Sequence, residues 1–251
     1  MSPLGAVVFD TDGVLLATAD RHAAAWKETF DGCLDRWGER LGQRPPPFDA
    51  VHDYRELVDG RSRLDGVRAF LTARSLDLPP GTPGDPPGCD TVYAVAARKE
   101  KIFSEAVWAE GVEAFDDVRP ALELLREMKV GCAAVSASRH ARTLLRAADL
   151  SDLFGALVDG RDVEALALAG KPDPALFLEA ADRLGVGPER TAVVEDALVG
   201  VEAGRRGRFH LVVGLDRGRD PHRADSLRAH GAHLVLPDLG GLPAALDGRG
   251  P

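Results

Sequence analysis

The stretch AVVFDTDGVLL, residues 6–16, sets two carboxylates and a glycine directly after an apolar run. Ala6-Val7-Val8-Phe9 has the length and composition of a strand buried on both faces, the kind a parallel sheet uses. Asp10 and Asp12 therefore fall at a strand's C-terminal end, where open α/β sheets place their ligand crevice. Either side of Thr11 on an extended chain, both carboxylates point the same way. Like charges held close repel and drive their pKa values apart, so the pair calls for a cation, a proton or a chemical task. Taken alone, Asp12-Gly13 also reads as an ordinary turn, since Asp and Gly are preferred there. The rest of the chain decides between the two.

At 251 residues and 45% hydrophobic, the chain can form one large α/β domain or a core with a smaller domain inserted. A net charge of -9 argues against a general nucleic-acid or acidic-membrane binder, though not against a local basic pocket. No apolar run approaches the roughly 18 residues of a membrane span. The N-terminus enters a strand without a charged region and long apolar segment, so no secretory leader is expected. Cys33, Cys89 and Cys132 are odd in number, widely spaced and free of any CxxC, which suits a reducing cytoplasm. A monomer or weak dimer, with no nucleic-acid or membrane partner, is expected.

Beyond the first strand the period changes. Residues 20–41 place Ala23, Trp26, Phe30, Leu34 and Trp37 at spacings of three and four, the apolar side of a helix. Further helical stretches are expected at 53–58, 64–74 and 92–110, the last two separated by the Pro- and Gly-dense loop LDLPPGTPGDPPGC. Nothing between 17 and 110 reads as a buried strand, so this region is expected to be a helical insertion of roughly ninety residues, a usual size for a small domain. Core segments at 1–16 and 111–251 flank it. In the second segment VGCAAVS, ALVDG, TAVVED, HLVVGL and HLVLPD alternate with helices expected at 118–128, 139–148, 174–184 and 197–203. That rhythm predicts a Rossmann-like, doubly wound, mostly parallel sheet. Asp173 is expected as the N-cap of the helix at 174–184, and the Gly- and Pro-rich end GLPAALDGRGP as a frayed tail.

Three more strand ends and loops carry chemistry. AAVSASRH offers the Ser136 hydroxyl and backbone amides before a helix, suited to an anion. LAGKPDP holds Lys171 between a glycine and a proline. TAVVEDALVG ends a strand on Glu195-Asp196. Each has a plain alternative: a Ser N-cap, a surface lysine, and acids stabilising a helix N-terminus. Together, however, they fit one reaction. One carboxylate attacks phosphorus and a second moves the proton, while a hydroxyl and an ammonium hold the phosphoryl oxygens. Mg²⁺ suits the remaining acids and offsets the repulsion between an anionic nucleophile and an anionic substrate.

In this order, D-x-D-G, S-x-S, G-K-P and E-D resemble the motifs of the haloacid dehalogenase superfamily. The opening FDTDGVLLATADRHAAAWK is similar to its β-phosphoglucomutase-like phosphatase and phosphomutase subfamily, whose cap domain is inserted after the first motif. The resemblance implies Mg²⁺-dependent phosphoryl transfer on a small sugar phosphate. Asp10 would be the nucleophile and Asp12 the general acid/base, with Ser136 and Lys171 on the transferring phosphoryl group. It places the metal among Asp10, Asp12 (through its carbonyl), Glu195 and Asp196. It further implies substrate contacts from Thr18, His22, Trp26, Arg63, Lys99, Ser138, Arg139 and His140, with Arg63 of GRSR as a clamp for a distal phosphate. Thr18 and His22 would couple cap closure to the stance of Asp12; their plain readings are a Thr N-cap and an exposed helical His. Arg139, His140 and Glu100 depart from the subfamily pattern, all where a second phosphate or sugar would bind.

Hydrolysis is the nearest alternative outcome, with water accepting the phosphoryl group. A dehalogenase would leave Asp12 without a role. A receiver-type signalling module would need its acceptor Asp mid-chain and its Lys late, and here the nucleophile candidate comes first. A non-catalytic sugar-phosphate sensor is the remaining alternative.

Overall fold

All five residues of β1 (Ala6–Asp10) are buried, so the strand that carries Asp10 lies inside the sheet. A computed structural model describes residues 4–43 and 45–246 and divides the chain into two units, Met1–Ala17 with Val112–Pro251, and Thr18–Gly111.

The second unit contains α1 (Ala19–Leu41), a π-helical turn at Tyr54–Val58, α2 (Arg63–Ala73) and α3 (Val92–Glu110). The turn stands where a short α-helix was expected. Two of its helices, α2 and α3, begin as capping chemistry dictates: Ser62 Oγ accepts from the Asp65 amide, and Thr91 Oγ1 from that of Ala94. The α1 stripe is buried as its spacing requires, and Phe30 stacks on Phe70 at 3.8 Å and lies 5.0 Å from Trp26. One expectation is overturned. Cys33 on α1 and Cys89, just before α3, form a disulfide across 56 residues, where unlinked cysteines were expected; Cys132 is free and buried. Closing a loop of that length removes conformational freedom from the unfolded chain and stabilises by about 3–4 kcal/mol. Replacing both cysteines by serine should lower the denaturant midpoint, an effect that reductant should reproduce in the parent. A midpoint indifferent to both would show that the link contributes nothing.

The chain re-enters the first unit and continues through α4 (Val118–Glu127), β2 (Gly131–Val135), α5 (Ala141–Ala147), β3 (Ala156–Val158), α6 (Gly160–Ala165) and α7 (Ala175–Arg183). It ends with β4 (Thr191–Glu195), α8 (Leu198–Arg206), β5 (Leu211–Leu215), α9 (Pro221–Ala229), β6 (Leu234–Leu236) and α10 (Leu242–Leu246). The six strands form one sheet in the order β3-β2-β1-β4-β5-β6, every pairing parallel. β1 pairs with β2 on one side and β4 on the other, so the chain reverses its winding there. Parallel sheets of this order bind ligands at that switch point.

Local differences from expectation have local causes. The helix expected from Pro174 starts at Ala175, with Asp173 Oδ1 accepting the Ala175 amide. Leu242–Leu246, expected as part of a frayed tail, is a short helix with Leu242 fully buried; the remainder of that tail, 247–251, lies outside the described residues.

Candidate active site

Asp10 ends β1, and its Oδ2 accepts the Asp12 amide at 3.0 Å. This bond turns the chain at once after the strand. Gly13 follows with φ +81, and a Cβ there would stand 2.2 Å from Asp196 Oδ2. Only glycine satisfies both the left-handed backbone and the close approach of Asp196. Asp12 Oδ2 accepts from Ser136 Oγ at 3.2 Å and from Thr11 Oγ1 at 3.3 Å. Ser136 follows β2, and its Oγ also accepts the Ser138 amide at 3.1 Å. The ends of β1, β2 and β4 thus converge.

Lys171 stands at the centre. Its ammonium, almost fully buried, donates to Asp10 Oδ1 and, at 2.5 Å, to Glu195 Oε1. It also lies 5.0 Å from the centroid of the Phe177 ring, and the Lys171–Pro172 peptide is cis. Glu195 is fully buried, and its Oε2 accepts the Ala197 amide at 2.6 Å. Both its oxygens are therefore engaged by Lys171 and backbone. Burial pushes the Asp10 carboxyl up to about 8; Lys171 opposes that rise, while Glu195 and Asp12 add to it. Burial alone would lower the Lys171 ammonium, but Asp10 and Glu195 outweigh it and hold the group above the ordinary lysine range. A single ammonium shared by two buried carboxylates leaves Asp10 incompletely compensated.

That imbalance has a measurable sign. A carboxyl whose folded value exceeds its unfolded one holds its proton more tightly in the folded protein. The stability it contributes is present at low pH and is lost as pH rises from 3.8 to about 8. The thermal midpoint of metal-free protein should therefore fall more steeply across that window for the parent than for Asp10→Asn. Equal slopes would contradict the assignment.

The second unit holds its own polar cluster. Lys99, buried, meets His22 Nδ1 at 2.6 Å and lies 4.4 Å from the Phe103 ring centroid and 5.4 Å from that of Trp26. His22 stacks on Phe103 at 3.9 Å, so it is not the exposed helical His of its plain reading. Thr18 is buried at the start of α1, without a side-chain capping bond. Arg63 pairs with Glu100 at 2.6 Å. In the first unit the Ser138 hydroxyl accepts the His140 amide at 3.2 Å, whereas the Arg139 guanidinium pairs with Glu164.

Two glycines that shape the site had no sequence signal. A Cβ on Gly200 would come within 1.7 Å of Glu195 Oε1, so the first turn of α8 must be bare for that carboxylate to reach Lys171. A Cβ on Gly160 would meet the backbone of Ala137, Ser138 and Arg139 at 2.8–2.9 Å. Both sit in helices, where a glycine usually reads as a mere weakness.

A carboxylate-bearing loop at the end of β1, a hydroxyl loop after β2, a buried lysine and an acid pair at the end of β4 define a class of site. In accord with it, residues 4–208 match the family model of haloacid dehalogenase-like hydrolases, and the chain belongs to that family of enzymes. Within it, the chain is 43% identical over 234 residues to the β-phosphoglucomutase of Mycobacterium bovis, across 93% of this chain and 89% of that protein. It is 27% identical over 235 residues to a phosphorylated carbohydrates phosphatase of Thermotoga maritima, covering 93% and 94% of the two chains. Its fold matches the crystal structure of a hydrolase from Pseudomonas syringae with a TM-score of 0.75 at 22% identity, over 98% of this chain and all of that one.

Proposed function

We propose that the protein transfers a phosphoryl group on a small sugar phosphate through an aspartyl-phosphate at Asp10, interconverting β-glucose 1-phosphate and glucose 6-phosphate. The observation that carries this reading is the buried Lys171 shared between Asp10 and Glu195, with the Asp12–Ser136 pair beside it. An Asp10 oxygen attacks phosphorus, the bond from phosphorus to the sugar oxygen breaks, and that oxygen takes a proton from the Asp12 carboxyl. In the second half-reaction an accepting hydroxyl gives its proton to Asp12, bonds to phosphorus and releases Asp10. Lys171 and Ser136 hold the phosphoryl oxygens throughout. Glu195 keeps Lys171 aimed.

The donor set fits Mg²⁺. Among the described residues no three acidic, His or Cys side chains form a ready cluster for a metal. Mg²⁺ needs no such cluster, since it binds through one or two carboxylates, water and substrate phosphate. Asp10, Asp196 and the Asp12 carbonyl are hard oxygen donors on adjoining loops, and the incomplete compensation at Asp10 calls for a cation. Once bound, the ion offsets charge between the carboxylate nucleophile and the phosphate.

One observation favours hydrolysis as a second reading. Arg63, the candidate clamp for a distal phosphate, is already paired with Glu100, and the Thermotoga relative is named a phosphatase. A sugar monophosphate held weakly at its distal phosphate would leave the aspartyl-phosphate form, and water would then bond to phosphorus, give its proton to Asp12 and release Asp10 with free phosphate. Phosphorus NMR with β-glucose 1-phosphate, Mg²⁺ and a sugar bisphosphate primer separates the outcomes. Glucose 6-phosphate supports the mutase, free phosphate alone supports the hydrolase, and no change with any phosphomonoester would defeat the proposal. Glu100→Asn should raise the ratio of isomerised sugar to free phosphate about fivefold, what an ion pair of about 1 kcal/mol would produce. An unchanged ratio would remove Glu100 from the partition.

A further inference from the structure

Arg217, two residues beyond β5, grips the loop that carries Asp10 and Asp12. Its Nε donates to the Gly13 carbonyl at 3.2 Å and its Nη2 to the Val14 carbonyl at 2.7 Å. Nη1 reaches both oxygens of Asp117 at 2.9 and 3.1 Å, and the guanidinium lies 3.7 Å from the Phe115 ring centroid. Asp117 is itself held, because its Oδ2 accepts the Leu239 amide at 2.6 Å. A planar cation is thus fixed on one face by an aromatic ring and at one end by a carboxylate. Its remaining donors meet two successive carbonyls.

The loop it grips is closed internally as well. The Thr11 carbonyl accepts the Leu15 and Leu16 amides, each at 2.9 Å, and the Gly13 amide donates to the Leu16 carbonyl at 3.0 Å. Phe115 also donates its amide to the Leu15 carbonyl at 3.3 Å. Arg217 therefore touches the chain where it leaves the first unit and where it returns. We infer that Arg217 is a positioning residue for the nucleophile loop, fixing the Gly13 and Val14 peptides and through them the stance of Asp12. No motif read in the sequence includes Arg217, which lies in the charged stretch LDRGRDPH. A lysine could not replace it, because an ammonium lacks the planar fork that spans two carbonyls and a carboxylate.

The kinetic part rests on the phosphoryl-transfer reading, and the test keeps the two apart. Arg217→Met retains an apolar stem on Phe115 and removes every donor. With a small aryl phosphate and Mg²⁺, kcat should fall about tenfold to a hundredfold, as a loop displaced by about an ångström would cause. KM should stay within about twofold. Arg217→Lys should recover only a small part of the loss. Independently of activity, the Leu15 and Leu16 amides should exchange with deuterium at least about tenfold faster in Arg217→Met, while the β3 amides stay as in the parent. Unchanged exchange at Leu15 and Leu16 would overturn the inference even if the parent protein proved inactive. So would a kcat equal to the parent's in an active protein. Should Arg217→Met fail to fold, Asp117→Asn loosens the same guanidinium and should give the same pattern at smaller size. An Asp117→Asn protein with parental kcat and exchange would overturn the inference equally.

Discussion

Asp10→Asn should fold as the parent does and lose turnover by at least about 10⁴-fold, because an amide cannot serve as the attacking oxyanion of an acyl-phosphate. Retention of the fold follows from the site's own bonds. Asn keeps one oxygen to accept from Lys171, while Glu195 still holds the ammonium at 2.5 Å. Removing an acid whose carboxyl burial has pushed up to about 8 also relieves a charge the folded protein tolerates poorly. The cost is confined to the bond from the Asp12 amide, about 1–3 kcal/mol if that donor is left unmet. Steady-state release of phosphate and sugar isomer checks the activity, and circular dichroism the fold. Turnover near the parent's in pure Asp10→Asn protein would show that the nucleophile lies elsewhere.

Lys171→Met should damage both stability and chemistry. Asp10 and Glu195 would face each other in a buried site with no cation between them, and breaking such a pair costs about 3–5 kcal/mol. Metal-free protein should show the full loss in denaturant titration, and Mg²⁺ should restore part of it by taking over the charge at Asp10. Turnover should fall about 10²–10³-fold even with Mg²⁺ saturating, as when one donor to a developing anion is removed. A variant within about 1 kcal/mol of the parent and fully active would mean that the lysine neither balances Asp10 nor holds phosphate.

The strand that carries Asp10 is legible in the sequence because a four-residue apolar run ending in charge admits few other structures. The same logic locates β2 and β4, and their acids and hydroxyl converge as a parallel sheet must make them. Helices with an apolar stripe are legible too, α1 and α3 above all. α9 is not, because only Leu227 of its nine residues is buried and no stripe marks it. α6 is six residues long and announces itself only through the Asp159–Asp162 capping box. Side-chain partnership is the harder part. Nothing in the spacing of Cys33 and Cys89 says that their chain segments meet, and nothing in Glu195-Asp196 says that the glutamate turns to Lys171. Arg63 with Glu100, Arg217 with Gly13 and Val14, and Gly200 beneath Glu195 are likewise products of the fold. They become visible only once folding brings segments distant in the sequence together within each unit.

The most direct measurement of the central claim is a mass-spectrometric map of the enzyme quenched in acid within milliseconds of mixing with sugar bisphosphate and Mg²⁺. One phosphoryl group should be found on the peptide containing Asp10, formed and discharged at rates compatible with turnover and absent from Asp10→Asn protein. A phosphoryl group on any other residue, or product formed with no phosphorylated protein on that timescale, would contradict the account.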